Sequence, residues 1–183
     1  GKLERAWRWD GDEENPIVRS MGAHSMVTAD VDGDGRDEVM LGSCMLDDNG
    51  TLLWSSGLGH SDKAYLCKLH PDREGMQVFM VSEPKKEDGR GVSVVDAATG
   101  KLIWSIGHTT YHVGDGMVTD FDPAHPGLEC FASEDRKGGS TDRYLLTADG
   151  KKLQVAQDEI PGCRNWIWWD ADLLRETFKG DNN

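Results

Sequence analysis

The sharpest chemical pattern in the chain is one short stretch, Asp30-Val31-Asp32-Gly33-Asp34-Gly35-Arg36-Asp37-Glu38. Asp30, Asp32, Asp34 and Glu38 stand at its first, third, fifth and ninth positions. Gly35 permits a sharp turn, and the carbonyl of Arg36 can face the centre. Such a loop is an oxygen cage for a hard cation, and calcium fits it better than magnesium, which keeps its waters. It is too short to supply the twelfth-position Glu of an EF-hand. A loop one residue longer, from Asp120 to Glu129, offers Asp120, Asp122 and Glu129 as a second calcium set. The corresponding places between them hold Lys68, His70 and Gln77. An ammonium there replaces a cation, so no metal is expected. Asp170 and Asp172 begin a fourth copy.

Aligning the chain on these loops exposes a second constellation. Six residues before the first acid of each copy lie His24, Asp62, Gly114 and Arg164, and eight before lie Gly22, His60, His112 and Gly162. If the copies are blades of a propeller, their first strands begin at one end of the axial channel. His24, His60, Asp62, His112, Asp115 and Arg164 are then expected at one mouth. Glu83 and Asp135 occupy equivalent places, each 15 residues past its loop position. A lone His is usually a hydrogen-bonded loop residue. Three together with carboxylates could form a metal or acid–base site, with His112, Asp115 and Arg164 on its substrate side.

The elements that must carry these residues repeat. Gly50, Gly100 and Gly150 each follow a turn, and Trp54 and Trp104 come four residues after the first two. The third copy has Gln154 instead. Between the loops lie short apolar runs: Val39-Met40-Leu41, Val78-Phe79-Met80-Val81 and Cys130-Phe131-Ala132. A unit of about 40–50 residues with four short strands is the signature of a propeller blade. The expected class is therefore all-β, a partial β-propeller. Residues 1–183 form a segment of one domain, with blades at about 22–56, 60–106 and 112–157. Partial blades are expected at 1–10 and 164–178. Three blades cannot close a ring, so a longer protein is expected, with self-association through exposed blade edges of the isolated segment.

Composition narrows the class. The net charge of -13, from 33 acidic and 20 basic residues, argues against a nucleic-acid or anionic-membrane partner. No apolar run is long enough to insert in a membrane, and no leader-like apolar segment opens the chain. Several of the 22 glycines fall beside Asp or Asn as turn dipeptides, as hairpins require. Cys44, Cys67, Cys130 and Cys163 form no CxxC pair, which speaks against a zinc ribbon.

The run from His24 through DVDGDGRDEVMLGSCMLDDNGTLLWS to GLGHSDKAYL and LHPDREGMQVFMV resembles the rhamnogalacturonan lyases of polysaccharide lyase family 11. VVDAATGKLIWS, GDGMVTDFDPAHPGLE and NWIWWDADLLRE are similar in type and order. The resemblance implies an eight-bladed, calcium-rich propeller, secreted, periplasmic or at the bacterial cell surface. It also implies β-elimination in the rhamnose–galacturonic acid backbone of pectin. It further implies a calcium or substrate cluster of His24, His60, Asp62 and Glu83 at the cleft. Two positions depart from the family pattern: Ser61 stands for a Gly, and Asp115 stands for an Arg that would face an anionic substrate. The segment alone is expected to be inactive. The competing possibility is a non-catalytic, calcium-stabilised glycan-binding propeller.

Overall fold

Short strands separated by glycine turns need a partner for every exposed N–H and C=O, and antiparallel sheets supply it. The computed structural model describes residues 1–13, 18–24, 26–160, 165–167 and 176–178. The first sheet contains β1 (Val27–Ala29), β2 (Glu38–Met40), β3 (Cys44–Leu46) and β4 (Leu52–Ser55) in that order. The second contains β5 (Ser61–Cys67), β6 (Gln77–Ser82), β7 (Val92–Asp96) and β8 (Leu102–Ser105). The third contains β9 (Val113–Thr119), β10 (Glu129–Glu134) and β11 (Arg143–Leu146). β12 (Asn165–Ile167) and β13 (Glu176–Phe178) pair with each other. All these pairings are antiparallel. The described residues contain no α-helix.

Every residue of β6 is buried, because the second sheet is covered on both faces. Strand side chains alternate between faces. Val78 and Met80 pack with Met40 and Met45 of the first sheet. Phe79 and Val81 pack with Val113, Val118, Cys130 and Ala132 of the third. Each fully buried Val, Met or Phe contributes about 1.5–3 kcal/mol, so these two layers hold the three sheets together. The leading strands lie side by side, β1 by β5 and β5 by β9. The outer faces are covered by the chain itself. Val18 and Met21 pack on Cys44, Leu41 and Leu52. Ile160, Leu153 and Val155 pack on Met117 and Phe131.

The Gly–Trp repeat is a lock between successive units. Trp54 Nε1 donates to the carbonyl of Ala97 at 2.8 Å, and Trp104 Nε1 to that of Ala148 at 2.8 Å. Trp7 Nε1 donates to that of Asp48 at 2.7 Å. Each ring lies on the turn glycine of the next unit. Gly100 has φ +68°, and a Cβ there would lie 2.6 Å from Trp54. The glycine is therefore required twice, by its left-handed backbone and by the ring against it. The spacing of Gly50 to Trp54 along the chain does not show this, since each Trp serves the following unit's turn.

Residues 1–10 form no strand with the described sheets, while Trp7 docks as the other two do. One expectation is corrected. The third unit has three strands rather than four. Only an isolated bridge, Leu146 with Lys152, continues it, and Gln154 supplies no ring to dock. Within the span 164–178, β12 and β13 form a two-stranded antiparallel pair. Cys44, Cys67 and Cys130 remain thiols, and burial pushes that of Cys44 up to about 11. Arg164, Cys163, Asp170 and Asp172 lie outside the described residues.

Candidate functional site

The leading strands β1, β5 and β9 start at one end of the sheets, and the segments before them converge there. Ala23 forms a parallel bridge with Ser61, which brings His24 beside Asp62. His24 Nε2 lies 3.0 Å from Asp62 Oδ1 and 3.4 Å from His60 Nε2, with the two rings edge-to-face. His60 Nε2 lies 3.8 Å from Asp62 Oδ1 and 3.6 Å from Glu83 Oε2. His112 extends the group: its Nε2 is 3.1 Å from Glu83 Oε1, and its Nδ1 is 3.2 Å from Asp135 Oδ1 and 3.9 Å from Asp62 Oδ2. Gly114 leaves room for this crowding, since a Cβ there would lie 3.1 Å from Asp135 and 3.4 Å from both Asp62 and His112.

Asp62 and His112 are buried, whereas the His24 side chain is 64% exposed. The site is therefore a fixed floor with an accessible wall. The hydrogen bond with His112, and next the charge of His60, hold Glu83 below the usual carboxylate range. One ligand atom from each of His24, His60 and Asp62 falls within a 4.8 Å group, as a metal centre needs. Two imidazoles and a carboxylate are a mixed donor set. It suits transition metals better than calcium, which prefers oxygen alone.

His24, His60, Asp62, Glu83 and His112 are thus brought together, with Asp135 joining them. Asp115 is not among them. Side chains alternate along β9: Gly114 and Gly116 face the second sheet, and Met117 packs on the opposite side. Asp115 shares the face of Met117.

The acidic loops lie at the other end of the strands. His24 precedes β1 and Asp30 follows it, a separation of about 20 Å at strand rise. Asp30, Asp32 and Glu38 offer three oxygens within a 4.8 Å group. Asp34 stands aside, its Oδ1 accepting the Arg36 N–H at 2.8 Å. Glu38 is fully buried; its Oε2 accepts the Val31 N–H at 2.8 Å, and its Oε1 has no hydrogen-bond partner. Burial, and next the charge of Asp32, push its carboxyl above the ordinary range.

In the second loop Glu129 is likewise buried. It accepts from Phe121 and Asp122 and leaves Oε1 without a hydrogen bond. Asp122 Oδ2 pairs with His125 at 3.1 Å rather than with the other acids. Between them, Gln77 closes its loop unaided. Its Oε1 accepts from Leu69 and His70, and its Nε2 donates to the Gly75 carbonyl at 3.0 Å. Lys68 Nζ also donates to Gly75, at 3.3 Å. The sequence assigned the missing cation's place to Lys68, but the amide of Gln77 does most of that work.

A recess of about 550 Å³, lined by Arg73, Glu74, Asp96 and Lys101 among others, lies at this loop end. It contains none of the clustered histidines.

Residues 1–182 match the family described as rhamnogalacturonan lyase family 11, C-terminal domain. The chain is 41% identical over 178 residues to rhamnogalacturonan endolyase YesW of Bacillus subtilis (strain 168), covering 96% of this chain and 26% of the relative. It is 36% identical over 183 residues to rhamnogalacturonan exolyase YesX of the same strain, covering 99% and 29%. The crystal structure of YesW superposes with a TM-score of 0.82 at 38% identity, covering 97% of this chain and 28% of that one. The crystal structure of exotype rhamnogalacturonan lyase YesX gives 0.86 at 36% identity, covering 98% and 29%. A rhamnogalacturonan lyase of Bacillus licheniformis gives 0.83 at 39% identity, covering 97% and 28%. The chain therefore spans less than a third of the relatives it matches.

Proposed function

The chain belongs to rhamnogalacturonan lyase family 11, and from that premise we propose that the protein containing it cleaves a rhamnogalacturonan-type pectic polysaccharide by β-elimination. The observation that carries this reading is the convergence of His24, His60, Asp62, Glu83 and His112 at one end of three successive sheets. On this reading the three units are consecutive blades of a larger propeller ring, eight-bladed as in the family. The leading strands line its channel, and the cluster opens at the channel mouth. The whole protein works outside the cytoplasm, where pectin is met.

β-Elimination removes the proton at C5 of a uronate and expels the oxygen at C4. The chain's own residues supply the binding side of that reaction. His24, His60 and Asp62 each offer a ligand atom within one 4.8 Å group, as a divalent cation needs. When bound there, such an ion would neutralise the uronate carboxylate and acidify its C5–H. Asp62 and Glu83 stand against the Nε2 atoms of His24 and His60, and a bound cation would replace the contact of whichever nitrogen it took. His112 is fixed between Glu83 and Asp135, which holds the floor of the cluster in place.

The acidic loops serve another purpose. Their oxygen-only donors and the unpartnered buried oxygens of Glu38 and Glu129 fit calcium. Lying about 20 Å from the cluster along the strand, that calcium stabilises the sheets and takes no part in the chemistry.

The full-length protein is tested with rhamnogalacturonan I and a divalent cation, following the ultraviolet absorbance of new unsaturated uronate. His60→Ala and Asp62→Ala are each expected to lower the rate by about 100-fold or more. Saturable binding with no new double bond would overturn the lyase reading in favour of a glycan-binding propeller.

A further inference from the structure

Tyr111 is the one aromatic among the large apolar side chains that stand exposed in the described residues, at 41% accessibility. It is held in place from several sides. Its backbone N–H donates to Glu134 Oε2 at 3.0 Å. Glu134 is only 4% exposed, and its other oxygen accepts the Tyr144 hydroxyl at 2.8 Å. The neighbouring Thr110 is bridged to Lys86 by two backbone hydrogen bonds of 2.9 Å. Gly138 lies so close to the Tyr111 Cβ that any side chain there would overlap it. Lys85 Nζ stands 5.5 Å from the ring centroid. The Lys85 side chain is half exposed and also pairs with Glu87 at 2.6 Å. The next residue, His112, reaches Glu83 of the cluster.

Leaving a buried carboxylate without hydrogen bonds is costly, and Glu134 has both of its oxygens bonded. Here one of them presents an exposed ring to solvent. We propose that Tyr111 and Lys85 form a docking platform for a uronate-bearing sugar unit of an acidic polysaccharide, flanking the His60–Glu83–His112 cluster. The ring face takes the C–H face of a pyranose, as aromatic rings do with apolar partners. The Lys85 ammonium, half exposed, pairs with that unit's carboxylate. The proposal rests on the polysaccharide-lyase reading above, and deepens it by naming where the polymer is gripped beside the cluster.

The test is equilibrium binding, to the full-length protein with its divalent cation, of a rhamnose–galacturonate tetrasaccharide in which CH2 replaces the leaving oxygen at each uronate C4, so that no turnover occurs. Adding Tyr111→Ala is expected to weaken binding about tenfold, as loss of an aromatic anchor does, while Tyr111→Phe stays within about twofold. Lys85→Gln should weaken binding of the acidic tetrasaccharide but not of its carboxyl-reduced form. Unchanged melting temperatures exclude unfolding as the cause. If the otherwise unaltered protein binds and Tyr111→Ala leaves the affinity within about twofold, the platform is overturned and the lyase reading stands. If neither protein binds the tetrasaccharide, both fall.

Discussion

At the scale of single residues, Glu38, Gln77 and Glu129 form a natural substitution series at one structural position. Each uses one oxygen to accept backbone N–H groups of its own loop. Gln77 satisfies its other end internally, whereas the two glutamates leave a buried oxygen without a hydrogen bond. Glu38→Gln is therefore expected to stabilise the protein in EDTA at neutral pH, by about 1–2 kcal/mol, by removing an uncompensated buried charge. Urea unfolding measures it. Because the Glu38 carboxyl titrates above its ordinary value, its ionised form costs stability at neutral pH. That cost fades as pH falls into the window just above the ordinary Glu range, so the advantage of the variant should shrink there. Calcium should reverse the ranking, since only the carboxylate gains from it. At 100-fold excess over Kd, the wild type gains about 2.7 kcal/mol per site. Asp32→Ala should abolish most of that gain at the first loop. Equal melting temperatures with calcium and EDTA would refute a structural cation.

At the scale of elements, the Trp locks join each unit to the next. Trp54→Phe removes the hydrogen bond to the Ala97 carbonyl and part of a buried ring. A loss of about 1–3 kcal/mol is expected in urea unfolding. Gly100→Ala should cost at least as much, because its φ is +68° and its Cβ would meet Trp54 at 2.6 Å. Trp104→Phe should behave like Trp54→Phe, the geometry being the same. The strands were legible in sequence wherever both faces of a sheet are covered, as in Val78 to Val81. The fourth strand of the third unit was over-read: Leu153-Gln154 copies the earlier pattern but lacks the Trp. Leu3 to Trp9 has the composition of a strand and pairs with none of the described sheets.

At the scale of the whole molecule, the chain spans 26% to 29% of the relatives it matches. The lyase activity proposed above is therefore a proposal about the longer protein. The described outer faces are partly covered by Val18 and Met21 on one side and Ile160 on the other. Light scattering on residues 1–183 is expected to show concentration-dependent association through the remaining strand edges. A monomer at all concentrations would contradict it.

What the sequence determined by itself was periodic and local. Repeated turns and apolar runs specified antiparallel units, and carboxylates within nine residues specified a loop that can hold a cation. The repeat also implied that His24, His60, Asp62 and His112 share one end, since equivalent positions in stacked units fall side by side. Only the tertiary structure decided what depends on facing and on long-range partners. It turned Asp115 away along β9, brought Asp135 in past Gly114, and paired Asp122 with His125. It also assigned each Trp to the following turn, and separated the acidic loops from the histidines by the length of a strand. Spacing along a chain carries none of this, because side-chain direction and packing across a seam are set by contacts between residues tens of positions apart.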